Sequence, residues 1–135
     1  MSRSEILTKF ETHDILPTPQ RLEVAEILLQ EPRHLSADQI IEELRAKGSK
    51  VSKATVYNSL SLFGKCGLVK ECLVDPERRF YDSRTSPHHH IYNADTRELS
   101  DIPFDNIEMT GLPELPAGTE LERAELIVRI RNSKE

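Results

Sequence analysis

The sequence predicts an α+β chain in two parts: a helical first half closed by a β-hairpin, and a smaller α/β second half. Three observations carry this. Four segments with helical apolar spacing fill the chain as far as Gly67. From Leu68 onward the pattern turns extended. The charge divides in the same way. Residues 1–70 hold ten lysines and arginines against nine acidic residues, and residues 71–135 hold eight against fourteen. The net charge of −5 therefore sits in the second half, and the first half is free to approach a polyanion.

The first helix is expected over Ser4 to Thr12, with Ile6, Leu7 and Phe10 on one face. The second opens at Thr18-Pro19, an N-cap followed by proline at the first helical position, and must stop near Glu31-Pro32. The third opens at Ser36, where Ser36-Ala37-Asp38-Gln39 has the form of a capping box. Ala37, Ile40, Ile41 and Leu44 form its buried stripe, and Gly48 ends it. The fourth opens at Ser52, repeats Val56, Leu60 and Phe63 at helical spacing, and closes at Gly67. Strands follow over Leu68 to Val74 and Phe80 to Asp82, joined by the turn Asp75-Pro76-Glu77-Arg78. Helices followed by a hairpin are the sequence form of a winged helix. A small helical domain with an unrelated hairpin has the same pattern.

Residues Thr85-Ser86-Pro87 read as a hinge. Beyond them, His88 to Asn93 and Glu98 to Ile102 are expected as strands around the turn Asn93-Ala94-Asp95-Thr96. Phe104 to Met109 forms a short strand or a turn of helix, Gly111 to Gly118 is loop, and Leu121 to Ile130 is the final strand. The expected division is residues 1–84, a hinge at 85–87, and residues 88–135. A second part this small cannot bury enough alone, so a homodimer is its natural completion.

With 135 residues the chain holds one ordinary domain or two small ones, and no apolar run approaches a membrane span. The N-terminus has no apolar core of a secretory signal, so a cytoplasmic protein with no membrane partner is expected. The cysteines, Cys66 and Cys72, form no C-x-x-C pair and read as reduced thiols.

Two features carry chemistry. The buried stripe of the fourth helix leaves Lys53, Thr55, Tyr57, Asn58 and Ser61 free. These are hydrogen-bonding types suited to base edges and phosphates, with Arg21, Lys50, Lys53, Lys65 and the hairpin's Arg78 and Arg79 available to the DNA backbone. The plain reading of the same residues is a solvated helix face. The second feature is His88-His89-His90. In a strand, His88 and His90 share a face and His89 points away. Such a pair can grip a metal ion or supply an axial haem ligand, and His34, Asp82 and Asp101 add donors suited to iron, manganese or zinc. The bland reading is a polar or pH-sensitive surface tract. No nucleophile stands beside a base and no phosphate-binding glycine loop is present, so an enzyme is not expected, a metallohydrolase being the remote alternative.

The chain resembles the ferric uptake regulator (Fur) superfamily over nearly its whole length. The resemblance is carried by Leu16-Pro17-Thr18-Pro19-Gln20-Arg21, His34-Leu35-Ser36-Ala37, Val51-Ser52-Lys53-Ala54-Thr55-Val56-Tyr57, Gly67-Leu68-Val69, Arg79-Phe80-Tyr81-Asp82 and His88-His89-His90. Within the family it is most similar to the iron response regulator (Irr) branch. That likeness rests on Ala54-Thr55-Val56-Tyr57-Asn58, Ser86-Pro87-His88-His89-His90, Asp101-Ile102-Pro103 and the tail from Gly111-Leu112-Pro113 to Val128-Arg129-Ile130-Arg131.

The resemblance implies a homodimer with an N-terminal winged helix-turn-helix domain and a small C-terminal α/β dimerisation domain. It implies that Thr55 and Tyr57 lie on the recognition helix, within a DNA-binding set of Arg21, Lys50, Lys53, Thr55, Tyr57 and Asn58. The family's regulatory metal positions fall on His34, Asp82, His88, His90 and Asp101, and the branch's haem segment on His88, His89 and His90. The chain also departs from the family. Asn93 and Thr96 stand where most members carry the first zinc C-x-x-C pair, and the tail has no cysteine, so a structural four-cysteine zinc is excluded. No Cys-Pro haem motif is present, and Pro87 cannot serve a second metal site. The expectation is an iron-responsive repressor whose grip on operator DNA is controlled by haem or Fe(II). The alternative is a peroxide- or manganese-sensing regulator of the same fold, holding Fe(II) or Mn(II).

Overall fold

The computed structural model describes residues 1–31, 34–75, 78–85 and 88–134. The expected turn at Pro76-Glu77, the helix stop at Pro32 and the hinge residues Ser86-Pro87 lie outside these described residues. The chain divides into two compact units, Met1–Thr85 and Ser86–Glu135.

Unit 1 runs α1 (Arg3–Thr12), α2 (Pro19–Leu28), β1 (His34–Ser36), α3 (Ala37–Ala46), α4 (Lys53–Lys65), β2 (Lys70–Asp75) and β3 (Arg78–Asp82). The helices begin where their caps stand. The side chains of Thr18, Ser36 and Ser52 accept from the backbone N–H three residues on, at 3.2 Å each. At Ser36 the box is reciprocal, because Gln39 Oε1 also accepts from Ser36 N–H at 2.9 Å. Helices α3 and α4 are followed by glycines with φ of +82° at Gly48 and +78° at Gly67, the left-handed C-terminal turn that glycine adopts without penalty. The helices close over one core of Ile6, Phe10, Val24, Ile40, Leu60 and Phe63, all fully buried.

The helices and hairpin together make a winged helix, with a third strand that the sequence reading does not name. Strand β1 pairs antiparallel with β3, giving the order β1-β3-β2. Three residues are too few to show a period of two, and β1 exists only through this distant pairing. Its register sets His34 opposite Asp82.

Unit 2 is a three-stranded sheet in the order β5-β4-β6, built from β4 (His89–Asn93), β5 (Leu99–Ile102) and β6 (Ile127–Ile130). β4 and β5 are antiparallel around a turn where Asn93 Oδ1 accepts from the N–H groups of Asp95 and Thr96. A single 3-10 turn covers Phe104–Asn106. The last strand is parallel to β4 and shorter than expected, since its ladder begins at Ile127 and residues 121–126 stay irregular. Among the described residues no helix is long and apolar enough to cross a membrane.

Candidate metal centre and nucleic-acid interface

Helix α4 buries Val56, Ser59, Leu60 and Phe63. That stripe fixes its rotation and turns Lys53, Tyr57 and Asn58 outward, with Tyr57 47% exposed. Thr55 is half-buried and accepts from the Ser52 hydroxyl at 2.9 Å. Lys50 is exposed on the approach to the helix. Arg21 joins this surface through a cleft of about 300 Å³ lined by Thr18, Gln20, Arg21, Thr55, Asn58 and Leu62. Its guanidinium is aimed by a 2.6 Å donation to the Leu16 carbonyl. Thr18 and Gln20 are lining residues that the sequence reading did not select. Their signal was the N-cap that opens α2, since a helix start faces its free N–H groups outward.

Tyr81 on β3 is buried, and its hydroxyl is pushed above the usual tyrosine range. Burial is the main cause. Glu71 and Tyr57 add to it by repulsion, and Arg79 opposes it. The hairpin and the exposed face of α4 therefore share an electrostatic neighbourhood.

The metal-type donors fall into one group in each unit. In unit 1, His34 Nε2 stands 4.0 Å from Asp82 Oδ2. Asp82 is fully buried, and its Oδ1 accepts from Arg84 N–H at 2.8 Å. In unit 2, Asp101 Oδ1 lies 3.2 Å from His88 Nε2 and 3.7 Å from His90 Nε2. The two rings meet edge-on with centroids 4.4 Å apart. His88 and His90 are 2% and 1% exposed. Strand register explains the meeting, because His90 on β4 is the cross-strand partner of Asp101 on β5. Each of the three offers a ligand atom within 4.8 Å of the others'.

His89 does different work. It faces away from that pair, as strand alternation requires. Its Nδ1 accepts from Leu126 N–H at 2.9 Å, and its ring stacks on Phe104 with centroids 5.0 Å apart and planes 14° apart. An imidazole accepting at Nδ1 carries its proton on Nε2.

Two buried imidazoles and a carboxylate form the donor set of a non-haem Fe(II) or Mn(II) site. The same arrangement fits haem poorly. An axial ligand needs an open face for a macrocycle, and here the Nε2 atoms converge on a carboxylate while His89 is committed to packing. With two cysteines in the whole sequence, a four-cysteine zinc site cannot form.

Comparison with known proteins adds a family and a fold. The profile of the ferric uptake regulator family matches residues 3–129. The peroxide operon regulator of Bacillus subtilis is 34% identical over 91 residues, which is 67% of this chain and 63% of that protein. The chain thus spans under two thirds of that relative's length. Among solved structures, the Vibrio cholerae ferric uptake regulator (Fur) superposes with a TM-score of 0.74 at 20% identity, covering 93% of this chain and 98% of that one. The ferric uptake regulator of Pseudomonas aeruginosa, solved with manganese, gives 0.70 at 24%, covering 95% and 98%. At these identities the structural likeness is one of fold.

Proposed function

The chain belongs to the ferric uptake regulator family, and from that premise we propose that it is a metal-responsive transcription regulator, not an enzyme, that binds operator DNA as a homodimer. The observation that carries the reading is the convergence of His88, His90 and Asp101 in unit 2. We assign the ion as Fe(II) or Mn(II). His34 and Asp82 of unit 1, paired across β1 and β3, are a further pair of donors of the same type. Bound there, the ion would supply positive charge to the carboxylates and imidazoles that hold it. The chain's own residues do the rest. Asp101 orients two imidazoles at once, and β1 carries His34 two residues from Ser36, the N-cap of α3. Metal held by these donors would bias the population of DNA-binding forms.

Peroxide sensing is the finer reading that the relatives favour over haem control and over membership of the iron response branch. A two-histidine, one-carboxylate set is the type that leaves coordination positions open on Fe(II). DNA contact is assigned to Lys53, Thr55, Tyr57 and Asn58 on α4, with Arg21 and Lys50 on the phosphates. Metal content of the purified protein tests the assignment. Wild type should hold Fe(II) or Mn(II) in proportion to chain, and His88→Ala/His90→Ala should hold neither. After peroxide treatment of the Fe(II)-loaded protein, mass spectrometry should find added oxygen on His88 or His90. Full haem loading that survives loss of the Fe(II) site would reverse the choice.

A further inference from the structure

Ser59 lies inside α4, is 4% exposed, and lines the cleft that Thr18, Gln20, Arg21 and Asn58 share. A serine hydroxyl within a helix either bonds the carbonyl four residues back or faces water. Ser59 makes no such bond. Among the described residues its hydroxyl has no partner, and it is not sealed from solvent, so it opens on the cleft. The other polar groups there can also donate. Helix α2 starts at the cleft with Pro19, which has no N–H. Arg21 N–H is taken by Thr18 Oγ1 and Leu22 N–H by the Thr18 carbonyl, which leaves Gln20 N–H open. The Arg21 guanidinium gives one N–H to the Leu16 carbonyl and keeps the rest. Thr18 and Thr55 use their hydroxyl oxygens as acceptors and retain their protons. Among the described residues no acidic side chain lines the cleft, and Leu62 gives it one apolar wall.

We propose that this cleft binds a small phosphate monoester, its phosphate on the donors of α2 and α4 and its organic part against Leu62, and that an occupied cleft excludes operator DNA. The donors outnumber what a carboxylate's two oxygens can use and suit the three terminal oxygens of a phosphate. The N-terminus of α2 adds its dipole and Arg21 a full positive charge. The volume of about 300 Å³ lies at the small end of ligand sites, so the molecule is small. A duplex lying on the exposed face of α4 reaches Asn58, whereas Ser59 is met only by a group that enters the cleft. The exclusion of DNA rests on the proposed DNA interface, which claims Arg21, Thr55 and Asn58 as well.

Isothermal titration of the full-length chain with glycerol 3-phosphate, against sodium chloride of equal ionic strength, tests the site without DNA. Wild type should bind saturably. Ser59→Ala should bind about tenfold more weakly, having lost one hydrogen bond to a charged group. Gln20→Glu, which sets a carboxylate at the rim, should not bind measurably, with thermal melts confirming that both variants fold. A wild type that gives no saturable heat, or a Ser59→Ala variant that binds as wild type does, overturns the proposal. If wild type is silent and Ser59→Ala still weakens DNA binding, the cleft takes a phosphate of the duplex, and the free ligand is rejected. Fluorescence anisotropy on duplex DNA then tests the exclusion. At ten times its Kd, glycerol 3-phosphate should weaken wild-type DNA binding about elevenfold beyond the chloride control. DNA affinity unchanged by a ligand that binds overturns the exclusion. A chain that binds no DNA with or without metal overturns the regulator reading and leaves the ligand site standing.

Discussion

Replacing His89 separates the structural histidine from the metal-type pair beside it. Leu126 is gripped twice at the start of β6: its N–H by His89 Nδ1 at 2.9 Å and its carbonyl by His90 N–H at 3.0 Å. His89→Ala removes the first grip and the stack on Phe104. An unpaired buried N–H costs about 1–3 kcal/mol, and Leu126 is 38% exposed, so water recovers part of that and the lower end applies. The lost stack adds about 0.5–1.5 kcal/mol. The expected loss is about 1.5–2.5 kcal/mol, a substantial share of a small domain's stability. His89→Gln keeps an acceptor for Leu126 and should lose only the stacking part. Urea unfolding of the metal-free proteins measures both losses. Metal content of folded His89→Ala should equal that of wild type. A loss under about 0.5 kcal/mol, or an emptied metal site in a variant of unchanged stability, would refute the division of labour among the three histidines.

The other predictions concern unit 1. Ser36→Ala removes one half of a reciprocal cap and should destabilise the chain by about 1 kcal/mol in denaturant unfolding, with the helix otherwise intact. Lys53→Ala should weaken DNA binding on all sequences and flatten its salt dependence by about one unit of slope, whereas Tyr57→Ala should weaken binding with the slope unchanged. Tyr81 makes the alkaline limit of stability specific. Its folded ionisation lies above the unfolded value of 10.0, so its contribution is complete below that pH and is lost as pH rises through the folded value. Tyr81→Phe should remove that part of the alkaline decline, as thermal melts across the range would record.

Much of unit 1 was legible because its signals are local. Thr18-Pro19, Ser36 with Gln39, and Ser52 each mark a helix start within four residues, and each helix begins there. What was not legible depends on partners far along the chain. Strand β1 exists through β3, and the meeting of His34 with Asp82 is a matter of register, not spacing. Residues 121–126 have a strand-like sequence, but the ladder with β4 begins only at Ile127 and they remain irregular. The parity of His88, His89 and His90 was readable from alternation alone. That His89 holds Leu126 was not, because β6 reaches it from 37 residues away.

The proposed coupling is that metal at His88, His90 and Asp101 sets DNA affinity. Its most direct test is fluorescence anisotropy on a duplex enriched by the wild-type protein from a pool with a randomised centre, with and without Fe(II) or Mn(II). Wild type should change affinity by about 5–150-fold, the range of an allosteric coupling of 1–3 kcal/mol. His88→Ala/His90→Ala should bind with one affinity in both conditions. A double variant whose DNA binding still responds to metal as wild type does would contradict the claim.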